Sequence, residues 1–246
     1  MIRTYISIAL KYLLRQPSYS ILSILGFSLA FASVFFIYSH VSYQHGYDRH
    51  LATSDRVYRL SGEINLPANE NIPGLLGPRL GPAMKEEIPA IQQMTRLVPF
   101  REKCIVNAHE QVFFEEQVYY ADSTVFEVFP LNFLRGSPEH NLVDGGQVVI
   151  SESIARKYFG STDVLGQPLK LNNSMDLEIT GVTEDLPENV HHKMHILISM
   201  KSLDPVLQQN LELEESENYW RPFAYHFILL GENNSIAEVE AAFPAF

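Results

Sequence analysis

The sequence predicts an α+β fold carried on one N-terminal membrane-spanning helix, and three observations lead there. Residues 18–43, SYSILSILGFSLAFASVFFIYSHVSY, carry no formal charge when the histidines are neutral, and the run exceeds the ~20 residues that cross a bilayer as a helix. Beyond it, short β-branched and aromatic runs alternate with polar turns, as strands do. A few helical segments interrupt these runs without the regular strand–helix alternation of a parallel α/β sheet.

At the N-terminus, IRTYISIALKYLLRQ (2–16) sets Arg3, Ser7, Lys11 and Arg15 at four-residue steps, with Ile2, Ile6, Ala9, Leu10 and Leu13 on another side. The pattern predicts a short amphipathic helix on the inner membrane surface, so 1–17 is expected to be cytoplasmic. Pro17 marks a break before the span at 18–43. Ala30-Phe31-Ala32-Ser33 has the small-residue look of a signal cleavage site, but a secretory core is only about 7 to 15 residues long. Here the apolar pattern continues through Val34, Phe35, Phe36, Ile37, Tyr38 and Val41, so the helix is expected to be retained. Arg3, Lys11 and Arg15 precede the span without an acid, whereas Asp48, Arg49, Asp55 and Arg56 come after it as a mixed set. The positive-inside rule then leaves the N-terminus cytoplasmic and the bulk of the chain outside. Ser23, Gly26, Ala30 and Ser33 form a small-residue stripe that suits close packing on a second helix, although small residues are common in any membrane helix.

The outer part, 48–246, reads as mixed. DRVYRLSGEI (55–64) has the pattern of a half-exposed strand. Leu75, Leu76, Leu80 and Met84 keep helical spacing in a stretch punctuated by Pro73 and the glycines 74, 77 and 81. Segments 94–98, 104–107, 111–114 and 117–120 suggest an antiparallel meander. A strand at 147–150 leads into SESIARKYFG (151–160), with Ser151 available as N-cap and Gly160 as the stop. DLEITGV (176–182), HILISM (195–200) and FAYHFILL (223–230) read as further strands. A last helix opens at Ser235, whose spacing to Glu238 is that of a capping box.

The formal charge is −11, and every acidic residue lies beyond the span. That balance argues against nucleic acid, whose phosphates require a basic surface. A single cysteine, Cys104, excludes an internal disulfide and reads as a plain core or strand residue.

Several residues invite chemistry. His191 and His195, four apart in HHKMH, would converge on a metal if the segment were helical; Pro187 and Asn189 favour a loop, and HILISM favours a strand leaving it. Glu212, Glu214, Glu215 and Glu217 lack the glycine and alternating Asp/Asn of a calcium loop and read as a solvated edge. Ser151 and Ser153 stand near a strand-to-helix turn without a Gly-x-Ser-x-Gly elbow, and capping by Ser151 is sufficient explanation. Tyr219, Trp220, Phe223, Tyr225 and Phe227 read as core on one strand face and rim on the other, rather than as a grip on an apolar ligand. Leu75, Leu76 and Leu80 suit either a core or a surface between two copies. No Gly-x-x-x-x-Gly-Lys-Ser/Thr phosphate loop occurs. No catalytic, cofactor-binding or metal residue is assigned, no cofactor is expected, and the chain reads as non-enzymatic.

Four stretches then carry a resemblance. An amphipathic N-terminus and first span, with YDRHLATSDRVYRL (47–60), ADSTVFEVFPLNFLRGSP (121–138), VVISESIARKYFGSTDVLGQPLKL (148–171) and LEITGVTEDLPENVHH (177–192) after them, resemble ABC transporter permeases of the MacB and FtsX-like type. The matching residues are structural: Gly160 and Gly166 suit turns needing positive φ, Pro168 stiffens the next strand, and Gly181 marks a bulge or a close backbone approach.

The resemblance implies an inner-membrane protein whose periplasmic core domain spans 48–246 as two lobes, one a porter-like α/β lobe and the other a β-rich lobe inserted at about 96–194. It implies a cytoplasmic ATPase partner, a second permease copy and a periplasmic adaptor or outer-membrane component. ATP-driven motion would be transmitted to the outer domain for efflux of a drug, peptide or lipoprotein. Such permeases carry at least three further spans, and no second run of about 18 apolar residues is present here. The chain is therefore expected to be the first part of a permease; the alternative is a single-span binding or adaptor module.

Overall fold

The computed structural model describes residues 15–48, 51–62, 74–100, 104–108, 111–203 and 223–243, with Thr4, Tyr5, Ile8 and Lys11 ahead of them. Most of the amphipathic segment 2–16 lies outside the described residues, as do Glu212, Glu214, Glu215, Glu217, Tyr219 and Trp220. The chain divides into two compact units, Met1–Tyr47 and Asp48–Phe246.

The first unit is dominated by α1 (Pro17–His45), 29 residues long and apolar enough to cross a membrane. Pro17 occupies its first turn, where the missing N–H costs no intrahelical bond. Leu22, Phe27, Phe31, Phe35 and Phe36 are all exposed, on several sides of the helix. An envelope apolar all round suits lipid rather than water.

The second unit is built on one sheet. Its strands are β1 (Val57–Leu60), β2 (Ile91–Pro99), β3 (Cys104–Ala108), β4 (Gln111–Glu115), β5 (Val118–Ala121), β6 (Phe133–Arg135), β7 (Gln147–Ser151), β8 (Pro168–Leu171), β9 (Met175–Thr183), β10 (Ile196–Ser199) and β11 (Tyr225–Leu230). Their order across the sheet is β1-β11-β2-β5-β10-β7-β9-β8-β3-β4, with β6 paired to β9. Two contacts, β5–β10 and β7–β9, are parallel, and the rest are antiparallel. Among the described residues its helices are α2 (Leu80–Glu87), α3 (Val125–Val128), α4 (Glu152–Phe159) and α5 (Ile236–Ala242), with single 3-10 turns at Pro138–His140 and Met200–Ser202. The fold is thus α+β: an apolar helix and then a sheet-rich domain. The lobe bounds expected at 96 and 194 fall within β2 and just ahead of β10, and the sheet runs continuously past both.

Period-two alternation distributes side chains among three apolar clusters. From β10, Ile196 and Ile198 enter the cluster closed by Ile154, Ala155 and Tyr158 of α4, whereas Leu197 enters the one closed by Val125, Phe126 and Val128 of α3. From β11, Phe227 and Leu229 join the second cluster, and Ile228 and Leu230 join a third with Met84 of α2 and Val239 of α5. All of β5 and β10 is buried, as expected of strands covered on both faces.

Several local expectations hold. α4 ends at Gly160 with φ 68°, a left-handed stop open to glycine. The capping box at Ser235 and Glu238 is formed. The β7–β9 register slips between Val148 and Val149, where the partner passes from Ile179 to Gly181. A Cβ on Gly181 would lie 2.8 Å from the Phe133 ring and 3.0 Å from Asn141 Oδ1.

Three expectations are corrected. The helix anticipated from Leu75 begins only at Leu80; Gly74 turns with φ 83°, and Leu76 instead bridges Ala224 beside β11. The apolar spacing there reflects burial of an extended segment rather than a helical face. The segments between 94 and 120 do not form a meander. β2 pairs β5, while the β3–β4 hairpin crosses to the far end of the sheet and pairs β8. Ser151 stands at the N-cap position but makes no side-chain cap bond, because its hydroxyl is turned to Ser153 and His195.

Gly181→Ala is expected to destabilise the protein by about 1–3 kcal/mol through overpacking. Chemical denaturation checks this, and an unchanged midpoint would mean that Phe133 and Asn141 yield freely.

Candidate functional site

Two of the stretches that carry the resemblance, 47–60 and 177–192, meet at the residue that opens the second unit. Asp48 has φ 57°, a left-handed conformation that aspartate tolerates better than most residues. Its N–H donates to the Asn189 carbonyl at 3.1 Å. Its Oδ1 accepts the His191 N–H at 3.1 Å, and its Oδ2 lies 2.5 Å from His191 Nδ1. One loop thus grips one residue through three hydrogen bonds.

The chain beyond Asp48 is stitched to α3 and to the sheet. Thr53 Oγ1 donates to the Val128 carbonyl at 2.8 Å, and Arg56 Nη1 donates to the Leu230 carbonyl at 3.0 Å. Leu51 and Val57 pack against the α3 cluster.

The other face of the loop is held by an aromatic box. His192 packs with ring centroids 5.8 Å from Tyr119, 4.8 Å from Tyr225 and 5.4 Å from Phe227. Burial, helped by the nearby Arg59 charge, pushes its imidazole down to about 4. The ring is therefore neutral at pH 7 and serves as a flat apolar surface. His191 and His192, adjacent in sequence, grip Asp48 and the sheet respectively.

At the base of the loop, both ends return to one pair of serines. Ser153 donates its N–H and its hydroxyl to Asp185 Oδ1, at 3.2 and 2.7 Å. Ser151 Oγ lies 3.0 Å from Ser153 Oγ and 3.3 Å from His195 Nδ1, while the Ser151 N–H donates to the His195 carbonyl at 2.9 Å. Burial would push the Asp185 carboxyl up, but the hydrogen bonds from the Ser153 hydroxyl and N–H hold it below the usual range. Burial lowers His195, against the pull of Asp185.

The other candidates resolve into packing. The rings of His191 and His195 have different partners, Asp48 and Ser151, and share no centre. Among the described residues no group of three His, Cys, Asp or Glu side chains is placed to hold a metal ion. Ser151 is buried and hydrogen-bonded on both sides, a poor position for a nucleophile. Cys104 is buried with its thiol pushed up to about 11, mainly by burial. Tyr225 and Phe227 serve the box, Phe223 packs on the α4 cluster, and Leu75, Leu76 and Leu80 lie in the interior or at its edge. A cleft of about 560 Å³ between α2, β2 and the 200–202 turn has Arg96 and Asp122 in its wall, guanidinium and carboxylate joined by two bonds of 2.9 and 2.7 Å. The sequence held the latch residues in view but did not reveal their pairing, because Asp48 and His191 are 143 positions apart.

The sequence model of the MacB-like periplasmic core domain matches residues 20–246. Among solved structures, a domain of a protein described as a permease from Porphyromonas gingivalis is similar, with 21% identity and a TM-score of 0.62 over 79% of this chain and 84% of that one. The periplasmic region of MacB from Actinobacillus actinomycetemcomitans aligns at 14% identity and TM-score 0.54, over 76% of this chain and 79% of that one. The extracellular domain of the noncanonic ABC-type transporter YknZ from Gram-positive bacteria aligns at 14% and 0.51, over 74% of this chain and 86% of that one. These identities speak to the fold. No curated protein matches the chain.

The box generates a pH dependence. Above about pH 6.5 His192 is neutral whether the chain is folded or not, and contributes nothing. Between 6.5 and about 4 the unfolded chain takes up the proton and the folded one does not, so stability falls as the pH is lowered. At about 1.4 kcal/mol per unit over this window the loss reaches at most ~3.5 kcal/mol. His192→Phe keeps the ring packing and is expected to lose less stability than the wild type between about pH 7 and pH 4.5 in urea unfolding. An equal loss would exclude His192 as a source.

Proposed function

The chain belongs to the family of the MacB-like periplasmic core domain, and from that premise we propose that it is a membrane permease component of an ABC-type transport system. In this reading α1 is a helix of the inner membrane. Arg3, Lys11 and Arg15 ahead of it, with no acid among them, support a cytoplasmic N-terminus and a periplasmic second unit. ATP hydrolysis belongs to a separate cytoplasmic subunit. The permease acts as a pair of copies, with a periplasmic adaptor or outer-membrane component beyond, and exports a drug, peptide or lipoprotein. The domain is non-catalytic and transmits motion.

The observation that carries this reading is the family match across nearly the whole chain. The latch at Asp48 supports it with a physical route. A displacement arriving at residue 48 meets three hydrogen bonds to one loop, and that loop leads directly into β10 at the centre of the sheet. A flexible tether would dissipate the displacement, whereas a latched one passes it on.

The test is isolation from the native membrane in mild detergent. An ATP-hydrolysing subunit is expected to co-purify; a free monomer with no such partner would overturn the reading. In the purified complex, Asp48→Ala removes both side-chain bonds of the latch; the one from the His191 N–H to the charged carboxylate contributes about 1.5–3 kcal/mol by itself. It is expected to leave co-purification and basal ATP hydrolysis intact. It should abolish the ATP-dependent change in hydrogen exchange of the outer domain, and persistence of that change would show that motion enters elsewhere.

A further inference from the structure

The base of the 185–195 loop carries a directed chain of protons. Both donors of Ser153, its N–H and its hydroxyl, go to Asp185 Oδ1. A hydroxyl has one proton, so in the 3.0 Å contact between the serines the proton must come from Ser151. That leaves Ser151 with nothing to donate to His195 Nδ1, 3.3 Å away, and the contact is a hydrogen bond only if His195 carries its proton on Nδ1. The one assignment in which each contact has a proton runs His195 to Ser151 to Ser153 to Asp185. Chains polarised in one direction strengthen one another, and this one ends on a carboxylate.

We propose that Asp185, Ser153, Ser151 and His195 are positioning residues: a hydroxyl-bridged staple that closes the 185–195 loop at its base and so holds Asn189, His191 and His192 in register with Asp48. The proposal deepens the permease reading and rests on it for its functional meaning, though the staple itself is tested independently. Its role is to turn a loop of about ten residues, otherwise free to bend at both ends, into a closed strap. The two ends are joined through the strand-to-helix turn of β7 and α4, beneath the tip that grips Asp48. This is also why Ser151 stands at a helix N-cap position without capping it.

The charged groups acting on His195 are Asp185 and Glu115, which favour its protonation, and Lys193 and Lys157, which oppose it. When His195 takes a second proton on Nε2, its Nδ1–H still points to Ser151. The direction of the chain is unchanged, and the staple holds in either state.

The experiment is ¹⁵N NMR of the full-length chain labelled at histidine, with the His195 signal assigned by its absence in His195→Gln. At a pH where the ring is neutral, the Nδ1–H tautomer is expected to exceed the Nε2–H tautomer by about tenfold, equivalent to about 1.4 kcal/mol. Free imidazole side chains favour the other form, so packing alone would not produce this. Asp185→Asn and Ser153→Ala should each remove the excess, and Ser153→Thr, which keeps the hydroxyl, should restore it. A wild-type ring in the Nε2–H form would overturn the proposal, as would a tautomer ratio indifferent to Ser153→Ala. Co-purification of the ATP-hydrolysing subunit is scored on the same samples. If it fails while the tautomer is as expected, the permease reading falls and the staple stands; the reverse outcome removes the staple alone.

Discussion

The hold of one loop on Asp48 is the constraint on which the rest of the structure depends. The chain reaches this residue from a 29-residue apolar helix, and the first strand, Val57–Leu60, follows soon after it. The His191–Asp48 contact is exposed, and as an ion pair alone it would contribute little. Its strength lies in geometry: the same carboxylate also accepts the His191 N–H, and the same residue donates to Asn189. Three bonds between one residue and one loop leave little freedom for either, so the first residue of the domain is set by a loop whose His191 lies 143 positions later.

From this hold, order passes into the sheet by two routes. One is the aromatic box, where a neutral His192 lies among Tyr119, Tyr225 and Phe227 and joins the loop to β5 and β11. The other is the base of the loop, where the His195 carbonyl accepts the Ser151 N–H, bringing β7 alongside β10. The central strands β5, β10 and β7 then present alternate residues to the α4 and α3 clusters, so neither side of the sheet can shift without the other. Interiors packed in this way are stiff, which the proposed transmission of a displacement would require.

Much of this was legible in the sequence, and the pattern of success has a physical cause. Features encoded within a few residues came through: the membrane-length helix, the capping box at Ser235, the left-handed stop at Gly160, and the strands at 147–150, 176–182 and 223–230. Gly181 behaved as a strand glycine should, at a bulge and under a close neighbour. Features set by long-range pairing did not. The strands from 91 to 121 are legible individually, but their partners lie at residues 168–171, 196–199 and 225–230 as well as among themselves. Leu75 and Leu76 have the spacing of a helix, yet Gly74 and the pairing with Ala224 hold them extended. At the site, the sequence suggested a cap for Ser151 and a weak metal pair for His191 and His195. The observed roles depend on Asp48 and Asp185, whose proximity no local pattern encodes.

The most direct test of this account is amide hydrogen exchange at His191 in the full-length chain, compared between wild type and Asp48→Ala. The His191 N–H donates to the Asp48 carboxylate, and a hydrogen bond to a charged group contributes about 1.5–3 kcal/mol. Exchange at this one amide is predicted to accelerate by roughly tenfold or more in the variant, with the strands of the central sheet unaffected. Equal exchange in the two proteins would mean that the loop is held without Asp48, and the latch would not be the point at which the domain is fixed.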